Sequence, residues 1–169
     1  MEDISIHPTA GILYHDKKGY EDVFRKHHQS AICRDIWLLK DGKYTKLTTF
    51  RGEDRTPRWT ADGQSFYYLS EQDGTFNVWK RSIDGSSDQQ ITRHTQNPVR
   101  FLTTADNGTL CYGYDGEIYT WKNGQEQKVS ITITTDRPDR DLVRQIQTSG
   151  ATEIKLSPKG KEIGRASCR

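Results

Sequence analysis

Short runs of alternating apolar and polar residues recur along the chain, and turn residues separate them. The run Ser65–Leu69 is typical, since it is rich in aromatic residues and is followed within a few residues by an Asp-Gly turn. Asp-Gly and Asn-Gly pairs allow the positive φ angles of tight hairpins. Helical spacing occurs mainly at 137–148, where Leu142, Val143 and Ile146 predict one or two helical turns. The pattern therefore predicts an all-β protein.

The order of these elements repeats about every 40 residues, which is a period typical of β-propeller blades. Each repeat contains an aromatic strand, a Gly turn, an alternating strand, a second Gly turn, a third strand and a short β-branched strand. The clearest copies begin at Thr56 and Asn97. Their predicted matches are Trp59 with Phe101, Gly63 with Gly108, Phe66 with Leu110, Trp79 with Tyr119 and Ile91 with Val129. An earlier copy places Trp37 opposite Trp79 and Leu47 opposite Ile91.

Residues 1–163 are thus predicted to form a β-propeller fragment, with nearly three blades of four antiparallel strands and the start of another. An insertion at 17–34 interrupts the first blade. The predicted bounds are about 2–49 for blade 1, 55–95 for blade 2, 97–133 for blade 3, 134–150 for a connection and 151–163 for the start of blade 4.

The last six residues, 164–169, break the repeat. After Ile163 the repeat requires an alternating apolar strand equivalent to Phe66–Leu69, whereas the chain continues Gly-Arg-Ala-Ser-Cys-Arg. We expect no strand there, and we expect 164–169 to be a non-native tail from a cloning junction or from a truncated or frame-shifted reading of the gene.

Charge and composition exclude several classes of partner. The chain has 25 Lys and Arg against 23 Asp and Glu, a formal net charge of +2, and both signs are interspersed. This distribution predicts neither a nucleic-acid-binding surface nor insertion into a membrane. Cys33, Cys111 and Cys168 are far apart, so their spacing indicates neither a disulfide framework nor a zinc site.

The insertion at 17–34 is the best candidate for binding, because it is longer than a hairpin needs and long loops on rigid scaffolds often carry function. It would either line a peptide route or contact a neighbouring domain. Its candidate residues are Lys17, Lys18, Tyr20, Arg25, His27 and His28. The adjacent histidines lack a spacing that aims both rings at one ion, so we predict no metal site. No G-x-S-x-G elbow occurs, and we predict no catalytic residue and no cofactor in this chain.

Several segments carry a resemblance to known propellers. TADGQSFYYLSEQDGTFNVWKRSIDG and LSPKGKEI resemble the repeats shared by TolB and the tricorn protease. Four others are together similar to the propeller part of bacterial tricorn-like serine proteases: YHDKKGYEDVFRKHHQSAICRDIWLL, FRGEDRTPRW, NPVRFLTTADNGTLCYGYDGEIYTW and TSGATEIKLSPKGKEI. The resemblance covers nearly the whole chain, from about Glu2 to Ile163.

The resemblance implies a role in proteolysis without catalysis by this chain. In that family, propellers precede a PDZ domain and a protease domain with Ser, His and Glu machinery, and none of those motifs is matched here. The implied function is peptide access to, or product exit from, an enclosed active site. The implied partners are peptides or unfolded protein segments, the missing blades, PDZ and protease domains of the parent, and further copies in a homo-oligomer. The implied location is the cytoplasm, with the periplasm as alternative.

Two other functions stay open. One is a TolB-like protein-binding propeller of the cell envelope, which would carry no chemistry. The other is the gating propeller of a prolyl-oligopeptidase-type enzyme, which an α/β-hydrolase domain with a G-x-S-x-G elbow would follow. The reading frame of the parent gene distinguishes all three.

Overall fold

The computed structural model describes residues 1–19, 27, 29–134, 149, 153–160 and 163–166. Its regular elements within these residues are all β-strands. They are β1 (Glu2–His7), β2 (Gly11–His15), β3 (Ile36–Lys40), β4 (Lys43–Lys46), β5 (Asp54–Trp59), β6 (Ser65–Ser70), β7 (Asn77–Ser82), β8 (Asp88–Gln90), β9 (Arg100–Thr104), β10 (Leu110–Tyr114), β11 (Glu117–Lys122), β12 (Gln125–Lys128), β13 (Glu153–Leu156) and β14 (Ile163–Ala166). The helical turns predicted at Leu142, Val143 and Ile146 lie outside the described residues.

Twelve of these strands form three four-stranded antiparallel sheets within Met1–Ile131. We call them sheet A (β1–β4), sheet B (β5–β8) and sheet C (β9–β12), and in each sheet consecutive strands pair. Two-residue turns at Asp41-Gly42, Asp115-Gly116 and Asn123-Gly124 have positive φ at both residues. This is the conformation of type I′ hairpin turns, so the local sequence dictates which strands are neighbours.

Sheet B contributes to two hydrophobic cores, because successive residues of a strand point to opposite faces. Phe66 and Tyr68 face sheet A, whereas Tyr67 and Leu69 face sheet C. The first core contains Leu13, Ile36, Leu38, Trp59, Phe66 and Tyr68. The second core contains Tyr67, Leu69, Phe76, Val78, Val99, Leu102, Leu110 and Tyr112. The three sheets therefore stack face to face in chain order.

The first strands of the sheets converge. Strand β5 contacts both β1 and β9, whereas β4, β8 and β12 of the described sheets make no comparable contacts with one another. The sheets are thus arranged with β1, β5 and β9 along one inner edge, as the blades of a propeller are arranged around its axis.

Equivalent hydrogen bonds confirm part of the predicted repeat. The backbone N–H groups of Leu47, Ile91 and Val129 donate, each over 2.8 Å, to the carbonyl oxygens of Ile36, Val78 and Ile118 respectively. These three pairs occupy the same place in sheets A, B and C. The next residues along the third strands, Trp37, Trp79 and Tyr119, are therefore equivalent, as predicted.

The predicted match of Trp59 with Phe101 is wrong. Trp59 pairs with Phe66, whereas Leu110, the equivalent of Phe66, pairs with Thr104. Trp59 is therefore equivalent to Thr104, and Phe101 is equivalent to Thr56. The prediction had aligned the two prolines, but one lies inside β5 and the other lies before β9 begins.

Residues Thr132–Arg169 form a separate compact unit that contains the hairpin of β13 and β14. Glu153 pairs with Ala166 and Leu156 pairs with Ile163. The expectation that no strand follows Ile163 is therefore wrong as far as Ala166. Strand pairing uses backbone N–H and C=O groups, which Gly164 and Arg165 supply as well as apolar residues do. The non-native origin of 164–169 stays a prediction, and 167–169 lie outside the described residues.

Candidate functional site

A groove of about 550 Å³ lies where β1, β5 and β9 begin, and all three sheets contribute to its walls. We call it the inner groove. Because β2 and β6 run antiparallel to β1 and β5, the connections β2–β3 and β6–β7 are at the same end of the sheets. The insertion at 17–34 belongs to the first of these connections, so its anchored ends lie on the side of the protein that carries the groove.

Each of the three first strands has a bulge at the inner groove. The register shifts at Glu2/Ser5 in β1, at Arg55/Arg58 in β5 and opposite Cys111/Gly113 in β9. The residues with positive φ at these bulges are Asp3 (50°), Thr56 (56°) and Phe101 (57°), and all three line the groove. A left-handed conformation is costly for a β-branched or bulky side chain, and such strain concentrates at functional sites.

His15 supports the bulge of β5. Its Nδ1 accepts the N–H of Thr56 over 3.2 Å, which leaves the ring proton on Nε2, 3.7 Å from Glu2 Oε2. The side chain is buried, and burial lowers the pKa of His15. The neutral ring is therefore the form that the site favours at pH 7, and a protonated Nδ1 would lose the Thr56 bond.

Four arginines line the inner groove: Arg34, Arg55, Arg58 and Arg100. Arg34 and Arg58 are held by ion pairs. Arg34 Nη1 lies 2.5 Å from Glu53 Oε1 in a pair whose side chains are both buried, and Arg58 Nη2 lies 2.6 Å from Asp3 Oδ1. These ion pairs fix the positions of the two guanidinium groups in the wall.

Arg55 is close enough to two of the other arginines, Arg34 and Arg100, to interact with them electrostatically. Its guanidinium carbon lies 4.1 Å from the centroid of the Phe76 ring, a cation–π arrangement. Burial lowers the pKa of Arg55; the charge of Glu53 opposes this, and the neighbouring charges of Arg34 and Arg100 add to it.

Apolar side chains form part of the groove wall. Leu69, Phe76, Val99 and Leu102 are buried there, while Phe101 keeps 78% of its surface exposed. The inner groove therefore combines positive charge with an accessible aromatic ring.

The insertion is tied to both sheet A and sheet B. Lys17 Nζ pairs with the groove residue Glu2 over 2.8 Å, and Lys18 Nζ pairs with Asp35 over 2.5 Å in a second, polar cavity. The N–H of His27 donates to Glu71 Oε2 over 2.8 Å. The other three candidates, Tyr20, Arg25 and His28, lie outside the described residues. The structure thus brings Lys17, but not Lys18, to the inner groove.

A buried carboxyl lies next to the groove. Asp54 begins β5, is 1% exposed, and its N–H donates to the Arg34 carbonyl over 3.0 Å. Neither carboxylate oxygen makes a hydrogen bond of good geometry, although the hydroxyls of Ser70 and Thr48 are near enough to favour the ionised form. Burial outweighs them and raises the pKa of Asp54 to about 7.

Other kinds of site are not formed by the part of the chain that the structure describes. No three His, Cys, Asp or Glu side chains converge on a metal position there, and no helix there is long and apolar enough to cross a membrane. Cys33 and Cys111 are free thiols, and Cys168 lies outside the described residues.

The fold has clear relatives among solved structures. The crystal structure of the tricorn protease matches 76% of this chain and 12% of that chain, with 19% identity and a TM-score of 0.63. TolB from Acinetobacter baumannii matches 95% of this chain and 36% of that chain, with 16% identity and a TM-score of 0.56. The chain has the fold of a tricorn- and TolB-like β-propeller. A TolB candidate from Agrobacterium tumefaciens adds a match of 59% of this chain and 42% of that chain, at 20% identity and a TM-score of 0.53.

These comparisons confirm the predicted all-β propeller fold with four-stranded antiparallel blades. A sequence match to an uncharacterized protein of Agrobacterium fabrum has 33% identity over 54 residues, which are 32% of this chain and 18% of that protein. No protein-family model matches the chain. The chain spans less than half of each of these relatives.

Proposed function

We propose that the chain is a non-catalytic propeller segment of a tricorn-like serine peptidase, and that it guides peptides to or from the catalytic domain. The observation that carries the proposal is the inner groove, which lies at the convergent edge of three stacked sheets. Its arginines and apolar side chains match the mixed chemistry of an unfolded peptide. The proposed partners are peptide segments, the remaining blades, PDZ and protease domains of a parent chain, and further copies in a homo-oligomer.

The state of His15 supports binding over catalysis in the groove. A general base must lie within hydrogen-bond reach of the proton it removes. His15 Nδ1 instead accepts a backbone N–H, and Nε2 lies beside Glu2. The ring is therefore engaged in holding the bulge of β5.

The experiment begins with the reading frame of the parent gene, which should encode PDZ and protease domains after the propeller. In that parent protein, Phe101→Ala should slow hydrolysis of a long unfolded substrate several-fold and leave a short chromogenic peptide unaffected. Ile118→Ala, which removes another exposed apolar side chain of sheet C outside the groove, is the matched control. A parent without a protease domain, or equal rates for both variants, would contradict the proposal.

A TolB-like protein-binding propeller is the second candidate. It is favoured by the likeness to A. baumannii TolB, which extends over 95% of this chain. In that case the parent reading frame should end after the last blade, and the protein would act in the periplasm, whereas we place the peptidase in the cytoplasm. The same reading frame tests the prolyl-oligopeptidase alternative, which requires a following α/β-hydrolase domain.

A further inference from the structure

We infer that the outward face of sheet A is the interface between two copies of this chain. The outward face is the side of sheet A that is turned away from sheet B. This inference rests on the homo-oligomer of the proposed function and adds the surface through which its copies meet. It does not depend on the guidance of peptides by the inner groove.

The alternation of side chains identifies the residues of the outward face. Leu13 of β2 and Leu38 of β3 face sheet B, where both belong to the first core. Their neighbours along the strands therefore point outward. The register arranges the outward residues in two rows across the sheet. The first row is Ile6, Ile12, Leu39 and Tyr44, and the second contains Tyr14, Trp37 and Lys46.

The outward face is apolar and open to water at both edges of the sheet. Ile6 on β1 is 70% exposed and Tyr44 on β4 is 57% exposed, while Ile4, two residues before Ile6, is exposed as well. In the part of the chain that the structure describes, neither hydrophobic core includes a residue of the two rows. The one charged residue of the rows is Lys46, and its Nζ lies 2.8 Å from Asp35 Oδ2. Association would therefore bury apolar surface without leaving this charge unpaired.

The equivalent face of sheet B is covered by a sheet. Tyr14 pairs with Trp37 as Tyr68 pairs with Trp79, so the two tyrosines are equivalent. Tyr68 is buried in the core between sheets A and B. The outward face of sheet C is less suited to such packing, because a row of small and polar residues crosses it: Thr103, Cys111, Thr120 and Gln127. Another copy of sheet A therefore offers more apolar surface to bury than sheet C does.

The outward face is complementary to itself about a twofold axis. Ile6 and Tyr44, the most exposed residues of the first row, lie at its opposite ends. An axis parallel to the strands, between β2 and β3, places Ile6 of one copy over Tyr44 of the other. The same axis places Ile12 over Leu39. It also separates the two copies of Lys46 to opposite ends of the interface, so their charges do not meet.

The size of the face predicts a weak dimer. Neighbouring strands lie about 4.8 Å apart, so the first row extends over about 14 Å from β1 to β4. Specific interfaces usually bury about 800 Å² on each partner, and a single face of this width is at or below that size. We therefore expect a dissociation constant on the order of micromolar. Because a twofold dimer covers both outward faces, association should stop at two copies.

The first experiment is sedimentation velocity of the 169-residue chain over a range of concentrations. The dimer fraction should rise with concentration, and no larger species should form. Ile6→Lys and, as a second variant, Tyr44→Lys should each raise the dissociation constant by about tenfold or more, because they add a charge to an apolar interface. Ile118→Lys, at an exposed isoleucine on the outward face of sheet C, should leave it unchanged. The melting temperature checks that each variant folds.

A second experiment tests the twofold axis by oxidative crosslinking. Ile6→Cys mixed with Tyr44→Cys should form disulfide-linked dimers, whereas either variant alone should not, because its two new thiols lie at opposite ends of the interface. The unsubstituted chain, treated in the same way, corrects for crosslinking through the native cysteines. Crosslinking of each variant alone to the level of the mixture would overturn the twofold arrangement.

The other outcomes are equally decisive. A monomer at every concentration, growth beyond two copies, or a dimer that Ile6→Lys and Tyr44→Lys leave intact would overturn the inference. Loss of the dimer in Ile118→Lys would assign the contact to sheet C and overturn it as well. A parent protein in which Ile6→Lys lowers the melting temperature without changing the oligomeric state would assign the face to another blade of the same chain, which also overturns it. Peptide guidance would stand in each case, because substrate hydrolysis by the Phe101→Ala variant tests it separately.

Discussion

Replacing the carboxyl of Asp54 by an amide should stabilise the protein at neutral pH and not in acid. Asp54 is 1% exposed between sheets A and B, and burial raises its pKa from 3.8 to about 7. An ionised carboxylate at this position is costly, because neither oxygen has a well-formed hydrogen bond to replace water. An asparagine side chain would keep the shape and remove the charge.

The sign and size of the pH dependence of stability follow from proton linkage. Below pH 3.8 Asp54 is protonated in both states, so its contribution to the free energy of unfolding is fully present. Between pH 3.8 and about 7 the unfolded chain loses the proton first, and stability falls as the pH rises. The two pKa values differ by about 3 units, which corresponds to a total loss on the order of 4 kcal/mol, of which about 2 to 3 kcal/mol falls between about pH 5 and 8.

The assay is urea unfolding followed by tryptophan fluorescence, from about pH 5 to about pH 8, for the wild type and Asp54→Asn. The free-energy difference in favour of the variant should grow by about 2 to 3 kcal/mol over this range. Asp73→Asn, at an exposed position in the β6–β7 connection, should show no such growth. A difference that is the same at every pH would refute the assignment of a buried, ionising carboxyl to the interface of the two sheets.

Three further predictions concern packing and surface. Gly63→Ala should lower the free energy of unfolding by more than Gly124→Ala. Both glycines have positive φ, but of the two only Gly63 would place the new methyl group against His7, 2.8 Å from its Cε1. Equal losses in thermal melts would contradict this. Tyr68→Phe should cost about 1 kcal/mol in urea titrations, because the Tyr68 hydroxyl donates to Asp88 over 3.0 Å; a neutral effect would show that this bond does not contribute. The isolated chain should self-associate through the exposed isoleucines of β1, which light scattering after size-exclusion chromatography would reveal, and a monodisperse monomer at all concentrations would oppose it.

The repeat could be predicted from the sequence because its determinants are local. Asp41-Gly42 and Asn123-Gly124 specify their hairpins by backbone conformation alone, and alternation places Phe66 and Tyr67 on opposite faces. The same local reasoning failed after Ile163, since backbone pairing does not require an apolar strand. The fold class can therefore be predicted from the sequence where the turn residues and the alternation of apolar and polar residues indicate the same strands.

The inner groove could not be predicted in this way. Thr56 and Phe101 adopt positive φ although their residue types disfavour it, so no local signal marks the bulges. Arg34, Arg55 and Arg100 are distant in the sequence and come together only when the sheets stack. Arg55 and Arg100 occupy equivalent positions in two repeats, and this could have indicated that both line one site. Aligning the repeats on Pro57 and Pro98 instead moved these positions out of register.

Photo-crosslinking tests the central claim most directly, namely that peptides bind at the convergent edge of the stacked sheets. An unstructured peptide with a central benzophenone residue would be irradiated with the chain, and the attachment sites mapped by mass spectrometry. We expect crosslinks at 55, 56, 58 and 99–103, which line the inner groove. Crosslinks confined to the outer strands β4, β8 and β12 would contradict the account.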